Sequence, residues 1–230
     1  MAVAEPKRDA DASEGEQAED DSASASEDAA ADDRDEDVEL LHSAIRARIT
    51  VSVNQKTGDS IPAAHCRYAR EGCERRLGEF AHYLVKAGRE RGVDPWVMAA
   101  MAFRESGFNP FALGSLGEMG ILQINPGRKD ARSVRFIQDD WYRKRCRRQP
   151  GACQLEIVRH AAAVLARSLE RCSGDMVEAL GAYNTGRCGG NNRYAKRILN
   201  DRLELRRTVG LDPPNLAGKG SKPQAPAPSS

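Results

Sequence analysis

Apolar residues recur at helical spacing through the middle of the chain and are nearly missing from its ends. Val38, Leu41, Ile45 and Ile49 share one helical face and predict a leading helix over 38–49. Residues 50–64, with Asn54, Gly58 and Pro62, read as a connector or a short hairpin. Leu77, Phe80, Ala81, Leu84 and Val85 line one face of a helix over 75–91, which Gly92 ends. Asp94-Pro95 is a start signal: an acid able to accept from free backbone N–H groups, then a residue whose φ is already helical. The helix it opens runs through Trp96, Met98, Met101 and Phe103 to about Ser106, and Gly107 and Pro110 close it.

Residues 110–120 hold Pro110, Gly114, Gly117 and Gly120 and are expected to be loop, followed by a short helix or turn near 120–124. Residues 136–151 are basic and carry Trp141 and Tyr142. Val158, Ala161, Ala162, Leu165 and Leu169 form the apolar stripe of a helix over 155–172, and further helices are expected over 175–183 and 194–203. Strand patterning is weak and no internal repeat is present. The chain reads as mainly α.

Charge changes the picture at the ends. Residues 1–40 carry 16 acidic and three basic residues, so the formal net charge of +1 hides an acidic arm on a basic body. The arm has no aromatic residue and too little apolar surface to offset its ordering entropy, so residues 1–37 are expected to be disordered. Residues 38–74 are a leading helix and connector, and 75–211 the folded domain. Residues 212–230, rich in Pro, Gly, Ala and Ser, are a flexible tail.

All six cysteines lie in the body: Cys66, Cys73, Cys146, Cys153, Cys172 and Cys188. They lack the paired CxxC spacing of a zinc site. An even count in a compact domain points to disulfides and an oxidising compartment, with reduced, partly buried thiols as the alternative. The short-range pairs Cys66–Cys73, Cys146–Cys153 and Cys172–Cys188 are the connectivity expected if bridges form. No apolar run is long enough to span a membrane, and no signal-peptide core precedes the arm. Ala2-Val3-Ala4 before Glu5 nevertheless has the small-residue spacing of a signal-peptidase site. The expectation is a periplasmic or secreted bacterial protein whose export signal is missing from this sequence or already removed.

Candidate chemistry centres on Glu105. Met98, Met101 and Glu105 are spaced i, i+3 and i+7, which puts the acid at the end of an apolar helix face. Partial desolvation there disfavours the carboxylate and raises its pKa, the condition for a general acid near neutral pH. A lone helix-end glutamate is more often solvent-exposed, and three motifs reverse those odds. Glu105-Ser106-Gly107-Phe108-Asn109-Pro110, then Gly120-Ile121-Leu122-Gln123-Ile124-Asn125-Pro126, then Ala182-Tyr183-Asn184-Thr185-Gly186 follow in order.

Together these resemble the soluble lytic transglycosylase (SLT) family, whose pattern is Glu-Ser-x-Phe-x-Pro, Gly-Leu-Met-Gln and Ala-Tyr-Asn-x-Gly. The resemblance covers roughly 75–203. It implies a lysozyme-like fold of the goose-type lysozyme and SLT kind. Glu105 matches the single catalytic glutamate and Ser106 the serine after it. Gln123 matches the loop glutamine lining the glycan groove, and Tyr183 and Asn184 the Tyr-Asn pair facing the acid. Tyr194 is a looser match to a further family tyrosine. Ile121 and Leu122 replace leucine and methionine with similar bulk. The loop serine arrives one position late, as Ser115. Glu118 stands where the family has alanine, as a solvated loop charge or a modifier of Glu105.

The implied reaction is non-hydrolytic cleavage of the β-1,4 bond between MurNAc and GlcNAc in peptidoglycan. Ordinary glycoside hydrolysis uses two carboxylates. By the resemblance, Glu105 alone serves as acid and then as base, and the product carries a 1,6-anhydro-MurNAc end. No metal or cofactor is implied, and His42, His65, His82 and His160 are scattered, expected to be structural or at the surface. The basic body suits a wall with anionic peptides and polymers. No recognisable motif for nucleic acid accompanies its charge. The resemblance implies a peptidoglycan strand as partner; nucleic acid is not expected, and the protein is expected to be a monomer. Two rivals stay open: a hydrolytic muramidase on the same fold, and a non-catalytic wall-binding assembly factor.

Overall fold

The computed structural model of the chain describes residues 24–53, 56, 60–62 and 72–212. Ala2-Val3-Ala4, Cys66 and residues 213–230 of the expected tail lie outside the described residues. Residues 1–34 and 35–230 are separate compact units; of the first, only backbone at the front of a helix is described.

That helix, α1 (Ser24–Ile49), starts well ahead of Val38. Residues 24–37, expected to lack order, are thus helical, consistent with the strong helix preference of the Ala29-Ala30-Ala31 run. Within the second unit, Leu41, Ala44, Ile45 and Ile49 of α1 are buried. The stretch after α1 is a hairpin: β1 (Thr50–Val53) pairs antiparallel with β2 (Ser60–Pro62), Thr50 opposite Pro62 and Val53 opposite Ser60.

The body is helical. It consists of α2 (Cys73–Arg91), α3 (Pro95–Ser106), α4 (Arg135–Gln138), α5 (Asp140–Arg145), α6 (Leu155–Arg171), α7 (Met176–Thr185) and α8 (Asn192–Thr208). Helix α3 begins as its sequence predicts, with the Asp94 carboxylate accepting from Trp96 N–H at 2.8 Å. Residues Trp96 to Ala102 are all buried, so α3 is apolar on every side and occupies the interior. It packs between α2 and α8, while α6 lies against α2 and α7, and α7 against α8. Phe80 of α2 stacks on Phe108, just past α3, with ring centres 6.5 Å apart. Both are fully buried, and each such ring contributes about 2–3 kcal/mol of transfer free energy.

Two cross-links brace the loops. Cys146–Cys153 and Cys172–Cys188 are disulfides, as the short-range pairing expected. The second closes a separation of 16 residues, worth roughly 3 kcal/mol of chain entropy, and anchors the segment just after Tyr183 and Asn184 to the end of α6. Cys73 is also disulfide-bonded.

Two buried polar groups are satisfied across long sequence distances. Gln154 is fully buried; its Oε1 accepts from Ile121 N–H at 3.0 Å and its Nε2 donates to the Pro110 carbonyl at 3.3 Å. Gly120, at φ +79°, leaves room for this amide: a Cβ there would meet Gln154 Oε1 at 2.9 Å. Asp201, with its side chain 4% exposed, accepts from Arg48 and Arg104.

Candidate active site

Helix α3 ends one residue after Glu105, where Gly107 takes a left-handed φ of 59° and turns the chain away. The loop that follows folds back beneath the acid. Ser106 Oγ donates to the Ile121 carbonyl at 2.9 Å, stitching the end of α3 to the 120–124 turn. In that turn Gln123 sits at φ 47°, a strained position for a residue with a side chain. Its amide is held there by donation to the Ala112 and Gly120 carbonyls at 3.1 and 2.9 Å. Both amide protons are thereby used, while Oε1 accepts nothing among the described residues and is available to a ligand donor.

Glu105 and Gln123 line a cavity of about 490 Å³, together with Ser115, Glu118, Tyr183 and Asn184. Of the residues expected at the site, five therefore share the cavity with Glu105, counting Glu118, whose role the sequence left open. Gly114 makes the close approach of two of them possible, since a Cβ there would lie 2.8 Å from Gln123 Oε1 and clash with Glu118.

Tyr194 reaches the site by another route. From the first turn of α8 its hydroxyl donates to Glu105 Oε1 at 2.6 Å. Ser106 does not line the cavity; its hydroxyl is occupied by backbone carbonyls, so it shapes the loop instead of facing the groove.

The electrostatics of Glu105 follow from this setting. Burial pushes its pKa above the ordinary 4.5, the Tyr194 hydroxyl opposes that shift, and the negative charge of Glu118 adds to it. Glu105 makes no ion pair among the described residues. Burial, with Glu105 nearby, also pushes Tyr194 and Tyr183 upward, so both phenols stay protonated donors. Tyr183 donates to the Leu122 carbonyl at 3.0 Å and Asn184 Oδ1 accepts from Asn191 at 2.8 Å. Glu118 fills both readings left open for it. Its Oε2 accepts from Leu116 N–H at 3.0 Å within the loop, and its charge bears on Glu105.

The family model for the transglycosylase SLT domain matches residues 82–202, just over half of the 230-residue chain. The chain belongs to this family. SLT domains are lysozyme-like, in agreement with the helical body around α3. At family level the substrate is peptidoglycan and the activity lytic transglycosylation.

Two ionisable residues on the wall of the SLT cavity were not singled out as site candidates in the sequence: Arg128 and His160. The His160 side chain is 9% exposed and its Nε2 has no hydrogen-bond partner. Burial pushes its pKa down, and Arg128 and Arg167 add to this against Asp130, so the imidazole is neutral at neutral pH. Nothing in the local sequence marks either residue, because α6 and the 125–128 turn meet only in three dimensions. Cys172, Glu178 and Cys188 bring ligand-type atoms within 4.8 Å of one another, but the two sulfurs are bonded to each other and offer no thiolate.

Proposed function

We propose that the chain is a lytic transglycosylase that cuts the MurNAc–GlcNAc bond without water, with Glu105 as its acid and then its base. The observation that carries this is a part-buried carboxylate of raised pKa, without a cationic partner among the described residues, in a groove lined by hydrogen-bonding side chains. A protonated Glu105 donates to the glycosidic oxygen as that bond breaks. The N-acetyl oxygen of the same MurNAc adds to C1 and holds the developing positive charge. Glu105, now a carboxylate, takes the proton of the MurNAc C6 hydroxyl. O6 then bonds to C1, expels the N-acetyl oxygen and closes the 1,6-anhydro ring. Atoms balance with no water consumed.

The neighbours suit these steps. Tyr194 fixes the rotamer of Glu105 and donates to it in either protonation state. Gln123 offers a free carbonyl to a sugar hydroxyl or acetamido N–H. Tyr183, Asn184 and Ser115 supply further polar contacts along the groove, and Ser106 is reassigned from substrate contact to loop anchor. Disulfides persist outside the reducing cytoplasm, which supports action in the periplasm or outside the cell, and the reading is of a monomer.

A second reading has one observation behind it. Glu118 lines the same cavity, so a carboxylate able to orient water is at hand for a hydrolytic muramidase. Mass spectrometry of digested sacculi separates the two. Products with 1,6-anhydro ends, lighter by one water, are expected; products with only reducing ends would transfer the assignment to the hydrolase.

A further inference from the structure

A second groove, of about 920 Å³, adjoins the first, and the two share His160 in their walls. Its border is strongly basic: Arg91, Lys129, Arg132, Arg135, Arg159 and Arg167 face only two acids, Asp130 and Glu156. Both acids are already engaged. Asp130 is held by Arg128 and Arg167, and Glu156 accepts the backbone N–H groups of Arg135 and Phe136 at 2.7 and 3.2 Å. Arg135 pairs with Asp139 and Arg159 with Glu90. Arg91, Lys129 and Arg132 form no ion pair among the described residues. The groove thus carries three cations that no acid among the described residues compensates. At its junction with the first cavity lies the nine-tenths-buried His160 imidazole, whose Nε2 makes no hydrogen bond among the described residues and sits 3.9 Å from Asp130 Oδ1.

We propose that this groove holds the carboxylate-bearing peptide stem of the strand being cut. The proposal rests on the reading of the first cavity as the glycan site. Continuity selects this ligand over other wall anions. The stem is attached through the lactyl ether of MurNAc, the sugar whose C1 reacts, so it leaves the glycan beside Glu105 and must enter an adjoining space. Asp130 links the two walls, since it holds Arg128 of the first cavity and Arg167 of the second. Burial would raise its pKa, but the hydrogen bond and charge of Arg128 and the charge of Arg167 outweigh burial and lower it, so it stays charged and keeps the link at neutral pH.

Exposed charges are individually weak, and three acting together are expected to change affinity about tenfold at low salt. The test titrates the full chain with a synthetic acidic stem tetrapeptide, the same peptide with its carboxylates amidated, and poly(glycerol phosphate). The acidic stem should bind, weaken as salt rises, and outbind the amidated stem about tenfold. A triple variant, Arg91→Glu, Lys129→Glu and Arg132→Glu, should lose that difference, and the corresponding Gln variant should lose part of it. Equal binding of acidic and amidated stems, or wild-type binding by the folded Glu variant, overturns the proposal. Displacement of the stem by poly(glycerol phosphate) at lower concentration than the stem itself would reassign the groove to phosphate polymers. A kinetic readout stands beside it: the preference for peptide-bearing over amidase-stripped strands should fall about tenfold in the Glu variant, and an unchanged preference counts against the groove. Peptide binding needs no cleavage, so failure of the glycan reading shows separately, as a wild-type chain that cuts neither strand.

Discussion

Arg104 and Glu105 are neighbours on α3, and each belongs to a different carboxylate site, one buried and one part-buried. Asp201 is almost fully enclosed, but Arg48 and Arg104 bond to it, and their guanidiniums reach solvent on the other side. Glu105 is part-buried, with a phenol for a partner and a second acid nearby. The first arrangement satisfies a charge and binds α8 and α1 to the end of α3. The second leaves the charge uncompensated and raises the pKa. Burial alone therefore does not mark a reactive acid; burial without a cation does.

Four experiments can break or sharpen that contrast. The largest effect is expected at Glu105→Gln, with cleavage of cell walls falling roughly 10³-fold or more, since general acid–base catalysis contributes on the order of 10²–10⁴ and here serves two steps. Its stability should move the other way. A carboxyl whose folded pKa is raised gives most stability below its unfolded pKa and loses it as pH rises through the folded value. Glu105→Gln should thus melt about 2 °C higher than wild type near pH 7, with the gain vanishing near pH 4. A variant that clears walls at the wild-type rate would remove Glu105 from the mechanism.

Asp201→Ala is the converse. Calorimetry should show a loss of roughly 2–3 kcal/mol, below the ~3–5 kcal/mol of a fully buried pair because both arginines are partly solvated. The folded fraction should keep its activity. Tyr194→Phe comes next, with about a tenfold drop in kcat from loss of the bond that orients the acid. Removing a bond that lowers the Glu105 pKa should also move the alkaline limb of the pH–rate profile upward. A limb that stays in place would separate Tyr194 from Glu105. Glu118→Gln should be mildest, moving the same limb downward with a rate change of about threefold or less, a small electrostatic effect in a partly solvated loop. A loss as large as that of Glu105→Gln would favour the hydrolytic reading.

Much of this frame was legible in the sequence where the causes are local. Gly92, Asp94-Pro95 and Gly107 mark helix ends through backbone geometry and a local cap, and α3 occupies the span expected for it. The apolar face below Glu105 followed from spacing, and its burial is what raises the pKa. What spacing could not convey are contacts made across the fold. The Tyr194–Glu105 bond joins residues 89 apart, and the Gln154 amide that secures the 120–124 turn reaches 33 residues back. Ser106 read as a groove residue because it adjoins the acid, yet the curl of the loop brings the Ile121 carbonyl to its hydroxyl. Arg128 and His160 carried no local mark at all, and the polar composition ahead of Val38 gave no sign that helical backbone extends back to Ser24.

The contrast between the two carboxylates is tested most directly by a carbon-13 NMR titration of the Glu105 carboxyl in the intact chain, assigned by its absence in Glu105→Gln. The midpoint should lie above 4.5, rise in Tyr194→Phe, fall in Glu118→Gln, and coincide with the alkaline limb of the pH–rate profile. A midpoint at or below 4.5 would mean that the acid is an ordinary solvated carboxylate and that the proton reaching the glycosidic oxygen comes from another group.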